Sequence, residues 1–334
     1  MRALLLASAL ALAGCGRDAL PAGPEAAAGP PDCARVSASP GPGVTAAFQG
    51  TEQGTVVAHL VSAATGCWVR IDEDAAAGPV GPLSVDPTGS FLYASLRLEP
   101  QRTGVEGFRI DRTRGTLEPI GRFPLERGWW ESAGALVATA DSVYTITHPI
   151  GTGYHGGFWR FAIDRDSGRL EWRDMAFRNR EPAFLEWSPA RGLLFMWTEE
   201  LSGPPYNLIR TMRVGPGGVL APGSDTPVEY GRAEADPLGD FLWMAHDEDG
   251  GPAFGTLSAF ATGLRGELTA RGSLPWERGV PVAHPNGRVL YASSAARIES
   301  FAVDPLSGMP AAVATVAHGQ PGPVALAVDP SGLL

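Results

Sequence analysis

The chain has 334 residues, 44% of them hydrophobic, with 43 glycines, 30 prolines and a formal net charge of −10. An acidic balance of this size excludes a nucleic-acid partner and adhesion to an anionic lipid surface by charge alone. All 26 basic residues are arginine, so chemistry through a lysine Schiff base is excluded as well.

The first segment has the pattern of a targeting signal. Arg2 precedes an apolar run from Ala3 to Ala11, too short to anchor across a bilayer, which leads into Leu12-Ala13-Gly14-Cys15. This tetrapeptide resembles the bacterial lipobox, in which the leader is cut before Cys and the thiol carries the lipid. The resemblance implies a lipoprotein signal peptide over 1–14, lipidation of Cys15 and a lipid bilayer as partner. Residue 16 is Gly rather than the Asp of inner-membrane retention. The expected location is therefore the cell envelope, at the outer membrane or cell surface. Residues 15–42 are mostly Ala, Gly and Pro and read as a lipidated, disordered tether. Two further cysteines, Cys33 and Cys67, are an even pair outside the cytoplasm and a disulfide candidate. Two independent thiols are the alternative.

From residue 43 to 334 two short patterns recur at a spacing of roughly 50 residues, the mark of a propeller or solenoid. The first is Val85-Asp86-Pro87-Thr88-Gly89. It returns at Trp187-Ser188-Pro189, Ala235-Asp236-Pro237, Ala283-His284-Pro285 and Val328-Asp329-Pro330, with a worn copy at Ala138-Thr139-Ala140. Asp caps the turn, Pro sets φ, and Gly takes the position that needs φ > 0. The second is Phe108-Arg109-Ile110-Asp111 followed by Gly115. It returns at Phe161 and Phe301, and more loosely at His59, Met212 and Phe260. Apolar runs flank each turn, four to a repeat, and helical periodicity is absent beyond the leader. These features predict an all-β propeller of four-stranded antiparallel blades, six by repeat count. The chain ends on one first strand, 324–329, and its folded part begins with the remainder of a blade. One sheet built from both termini would close the ring and remove two open edges.

In such a meander the regular Asp-bearing turns share one face, and the irregular loops share the other. Sites belong on the irregular loops. The starts of the inner strands there supply Trp130, Glu131, Arg180, Glu186, Arg232, Glu234 and Arg278. The loops between second and third strands supply His148, His155, His246 and Asp247. Glu131, Glu186, Glu234 and Arg232 are the candidate catalytic group, and the others are candidate ligand contacts. No Cys/His/Asp cluster has standard metal-ligand spacing, so no metal or other cofactor is expected.

The phrases Gly322-Pro323-Val324-Ala325-Leu326-Ala327-Val328-Asp329-Pro330-Ser331-Gly332 and Phe301-Ala302-Val303-Asp304-Pro305-Leu306-Ser307-Gly308 resemble the blade repeat of the lactonase-type, 6-phosphogluconolactonase-like propellers. The resemblance covers most of 43–334. It implies seven blades where the repeats count six, and it implies hydrolysis of a sugar-derived lactone. In that chemistry a carboxylate such as Glu186 activates water, and Arg232 steadies the oxyanion. Ala183 and Ala233 stand where the family's phrases carry histidine. The alternative is a binding or assembly scaffold at the cell envelope, holding a small-molecule or protein ligand on the irregular face.

Overall fold

The computed structural model describes residues 44–329, apart from residues 52, 278 and 280 and the segments 63–67, 99–101, 126–129, 150–156, 178–181, 200–206, 229–230, 247–254, 295–296 and 318–324. The leader, the tether, Cys15, Cys33 and Cys67 lie outside the described residues.

The chain builds six four-stranded antiparallel sheets. Strands β1 (Val44–Gly50), β2 (Thr55–Ser62) and β3 (Trp68–Ala75) form three quarters of one blade. Five complete blades follow. The first has β4 (Val80–Val85), β5 (Phe91–Leu98), β6 (Arg102–Ile110) and β7 (Leu117–Pro124). The second has β8 (Trp130–Ala138), β9 (Ser142–Pro149), β10 (Gly157–Ile163) and β11 (Leu170–Phe177). The third has β12 (Pro182–Ser188), β13 (Leu193–Glu199), β14 (Asn207–Val214) and β15 (Leu220–Pro227). The fourth has β16 (Gly231–Ala235), β17 (Phe241–His246), β18 (Thr256–Thr262) and β19 (Leu268–Pro275). The fifth has β20 (Pro281–Ala283), β21 (Val289–Ser294), β22 (Arg297–Val303) and β23 (Pro310–Ala317). The last strand, β24 (Ala325–Val328), pairs with β1 in the register Ala47↔Val328 to Gly50↔Ala325. The first and last described strands thus share the sixth blade, as the sequence predicts. The repeat count of six is the one realised; the seventh blade that the family resemblance implied is not formed.

The two sequence patterns have distinct structural jobs. In the first, the Asp86 carboxylate accepts the backbone N–H groups of Thr88, Ser90 and Phe91 at 3.1, 2.8 and 2.7 Å. Asp236 does the same for Leu238 and Asp240. In the fifth blade His284 replaces Asp, and its Nδ1 accepts the Asn286 N–H at 3.2 Å. Burial pushes the His284 pKa down, which keeps that nitrogen free to accept. In the worn copy Thr139 Oγ1 accepts the Ser142 N–H. The second pattern marks a break in register between third and fourth strands, at Ala58/His59, Gly107/Phe108, Arg160/Phe161, Arg210/Met212, Ala259/Phe260 and Ser300/Phe301. Such bulges sharpen the twist of the outermost strand. That strand is mostly solvated, as in β19, whereas β17 is buried along its whole length.

Blades lock to one another through aromatic side chains of the second strand and the glycine turn of the next blade. Tyr93 donates its hydroxyl to the Gly168 carbonyl at 3.0 Å, Tyr144 to Gly218 at 2.5 Å, and the Trp243 indole to Gly308 at 2.6 Å. Gly168 has φ +74°, and a Cβ there would meet the Phe91 ring at 2.5 Å. Glycine is required at that point both by the backbone and by the neighbouring blade. Between these fasteners lie apolar layers, such as Phe91, Tyr93, Leu136, Trp159 and Phe161 between the first and second blades.

Candidate functional site in the central channel

The inner strands β4, β8, β12, β16, β20 and β24 each leave one edge without a sheet partner, facing the axis. Their edge N–H groups need acceptors. Among the described residues, a side chain from the preceding blade supplies one in three places. Ser84 Oγ accepts the Ala138 N–H at 2.9 Å, Glu186 accepts the Ala235 N–H, and Glu234 Oε1 accepts the Ala283 N–H at 2.7 Å. Ser84, Glu186 and Glu234 each stand immediately before the residue that opens the turn motif in their repeats. The fold therefore makes these positions equivalent.

Glu186 and Glu234 also hydrogen-bond to each other across the boundary between the third and fourth blades. Both are half-buried. Burial, then the adjacent Glu234 carboxylate, pushes the Glu186 pKa well above the usual carboxylate range. Burial pushes Glu234 up to about 8, against the opposing effects of the Ala283 N–H and the Glu186 hydrogen bond. Two carboxyl groups this close cannot both ionise cheaply, so the pair retains a proton.

Arg232 lies two residues before Glu234 on β16, on the same side of the strand and roughly 7 Å further toward the irregular face. It is exposed, and among the described residues no acceptor holds its guanidinium. The alternative fate for an arginine here, an ion pair with Glu234, is not formed. A site thus takes shape along one strand: a proton-sharing carboxyl pair toward the regular turns and an uncommitted cation toward the irregular face.

The remaining sequence candidates fall differently. His246 ends β17, opposite Gly231, and is buried with its Nε2 against Ser258 Oγ at 2.9 Å. Trp130, Glu131 and His148 lie on the backbone of β8 and β9, where Trp130 pairs with Pro149 and Ser132 with His148. Their side chains, and His155, Arg180, Asp247 and Arg278 altogether, lie outside the described residues. The sequence named Glu186 and Glu234 but not their contact. The signal was available: both occupy the residue before the turn motif's first position in adjacent repeats.

No family model matches the sequence, and no curated protein matches it. Solved structures do match in fold. A protein from Bacteroides uniformis assigned as a 6-phosphogluconolactonase superposes with a TM-score of 0.59 at 16% identity, over 86% of this chain and 99% of that one. The periplasmic gluconolactonase PpgL of Pseudomonas aeruginosa gives 0.60 at 13% identity, over 85% and 99%. TolB of Acinetobacter baumannii gives 0.53 at 12% identity, over 88% of this chain and 69% of that one. At such identities the likeness is one of fold. The chain is a six-bladed β-propeller.

Proposed function

We propose that this protein is a lactone hydrolase of the cell envelope, held there by acylated Cys15, and that it opens a sugar-derived lactone in its central channel. The observation that carries this reading is the Glu186–Glu234 pair, with Arg232 uncommitted on the same strand. Above its pKa, Glu234 is a carboxylate able to take a proton from water. The proton that the pair retains can turn from the partner carboxylate to the carbonyl oxygen as it becomes an oxyanion. Arg232 adds positive charge on the other side of a ring seated between them. Attack by water forms a tetrahedral intermediate; its collapse breaks the ring C–O bond, and the alkoxide takes a proton to give the hydroxy acid. The fold-level neighbour from Pseudomonas is by name a periplasmic gluconolactonase, which agrees with this chemistry and with an exported location.

A panel of aldonolactones, assayed by proton release, tests this reading. Arg232→Ala is expected to lower turnover by roughly 10² or more, the scale for loss of one oxyanion donor, with thermal stability little changed. Rates for wild type and variant that both equal the uncatalysed background would end it. A second reading, a ligand-binding scaffold without catalysis, is favoured by Ser84. It fills the position equivalent to Glu186 and Glu234 and makes the same contact with the next blade, so the carboxyls would serve there as fasteners alone.

A further inference from the structure

The face of regular turns is uneven. At the tip of the turn between third and fourth strands, the third, fourth and fifth blades carry Val219, Leu264 and Leu306, and the fourth blade adds Leu238 from its turn between first and second strands. All four are exposed, Leu264 to 77% and Leu306 to 84%. The corresponding tips of the first and second blades are charged instead, with exposed Arg112, Arg114 and Arg165 beside Asp111, Asp164 and Asp166, and with Arg165 paired to Asp141. Scattered exposed leucines need no explanation. These stand at equivalent places on consecutive blades and on one edge of the molecule.

The same face receives the chain from its N-terminal side, at the closing blade between the fifth and the first. β1 starts at Val44 beside the last turn motif: the Thr45 hydroxyl donates to the Asp329 carbonyl at 3.3 Å, and the Asp329 N–H to the Ala46 carbonyl at 2.9 Å. The chain therefore enters β1 at the face of regular turns, with residues 16–43 between that point and Cys15. A Gly-rich chain of this length has a root-mean-square span of about 30 Å. A tether so short, rooted on one face, holds that face near the membrane at high effective concentration, so that weak contacts suffice to dock it.

We infer that the regular-turn face rests on the lipid bilayer, with Leu238, Leu264 and Leu306 inserted at the headgroup boundary. The inference depends on acylation of Cys15, proposed above. Leucines at the tips of tight turns can enter the interface without exposing backbone groups to hydrocarbon, because each turn satisfies its own N–H groups; Gly266 N–H donates to the Gly263 carbonyl, for example. Each inserted leucine shifts the docked population by roughly tenfold. The irregular face, with Arg232, then points away from the membrane and takes a water-soluble ligand.

Hydroxyl-radical footprinting of the full acylated chain in phosphatidylethanolamine/phosphatidylglycerol vesicles tests this, with the full chain carrying Cys15→Ser, free in solution, as reference. Labelling of Leu264 and Leu306 is expected to fall at least threefold on vesicles, while Trp172, exposed on the outer strand β11, keeps its rate. The double variant Leu264→Asp, Leu306→Asp should stay on vesicles while Leu238 returns to its free rate. Leucines equally reactive in both states, on a chain whose N-terminal peptide mass shows acylated Cys15, would overturn the orientation and leave the anchor standing. A peptide mass without acyl groups would overturn the anchor and the docking with it. Protection that grows with protein concentration in the vesicle-free reference would assign the patch to a second copy of the chain instead.

Discussion

The carboxyl pair in the channel ties the stability of this propeller to pH, in a direction opposite to that of an ordinary salt-bridged acid. Glu234 in the unfolded chain titrates near 4.5 and in the folded protein near 8. Between those values the folded state binds more protons than the unfolded state. Stability from this group is complete below pH 4.5 and is lost as pH rises through 8. The shift corresponds to at most about 5 kcal/mol. Both side chains are only half-buried, so solvent screens the effect, and we expect a loss of about 2 kcal/mol between pH 5 and 8.5. Glu186 is shifted in the same direction and adds to it. Glu234→Gln keeps the acceptor for the Ala283 N–H and the contact with Glu186 but removes the titration. Guanidinium unfolding of the full Cys15→Ser chain, with and without Glu234→Gln, isolates the term from all other titrating groups. The variant should match its parent at pH 5 and exceed it by about 2 kcal/mol at pH 8.5. Parallel stability curves across that range would refute the raised pKa and, with it, the shared proton.

The fasteners between blades give further tests. Gly168→Ala places a Cβ at φ +74° and against the Phe91 ring, and should destabilise by roughly 2 kcal/mol or more in the same unfolding assay. Tyr144→Phe leaves the Gly218 carbonyl without its 2.5 Å donor, at a cost of about 1 kcal/mol, without altering lactone turnover. If Cys33 and Cys67 are joined, non-reducing peptide mapping of protein from the envelope will recover them as one cross-linked species; two alkylatable thiols in native material would rule the bond out.

The blade count and the shared closing blade were legible in the sequence because turn chemistry is local. Asp86-Pro87-Thr88-Gly89 writes its own hydrogen bonds, and even the substitutes Thr139 and His284 keep an acceptor at the same point. The recurrence of His59, Phe108, Phe161, Met212, Phe260 and Phe301 was legible as a pattern, but that each marks a register break shows only in the pairing of third and fourth strands. The channel site was only half legible. Residue type and strand position singled out Glu186, Glu234 and Arg232. The contact between the two carboxyls belongs to the closure of the ring, which sets strands from different repeats side by side. That contact, with the low-polarity surroundings it imposes, moves their pKa values and leaves Arg232 without a carboxylate to neutralise it. The gathering of Val219, Leu238, Leu264 and Leu306 on the face where the chain enters is likewise a product of the meander. Local sequence specifies each turn; the circular arrangement of blades decides which turns and which inner-strand side chains become neighbours.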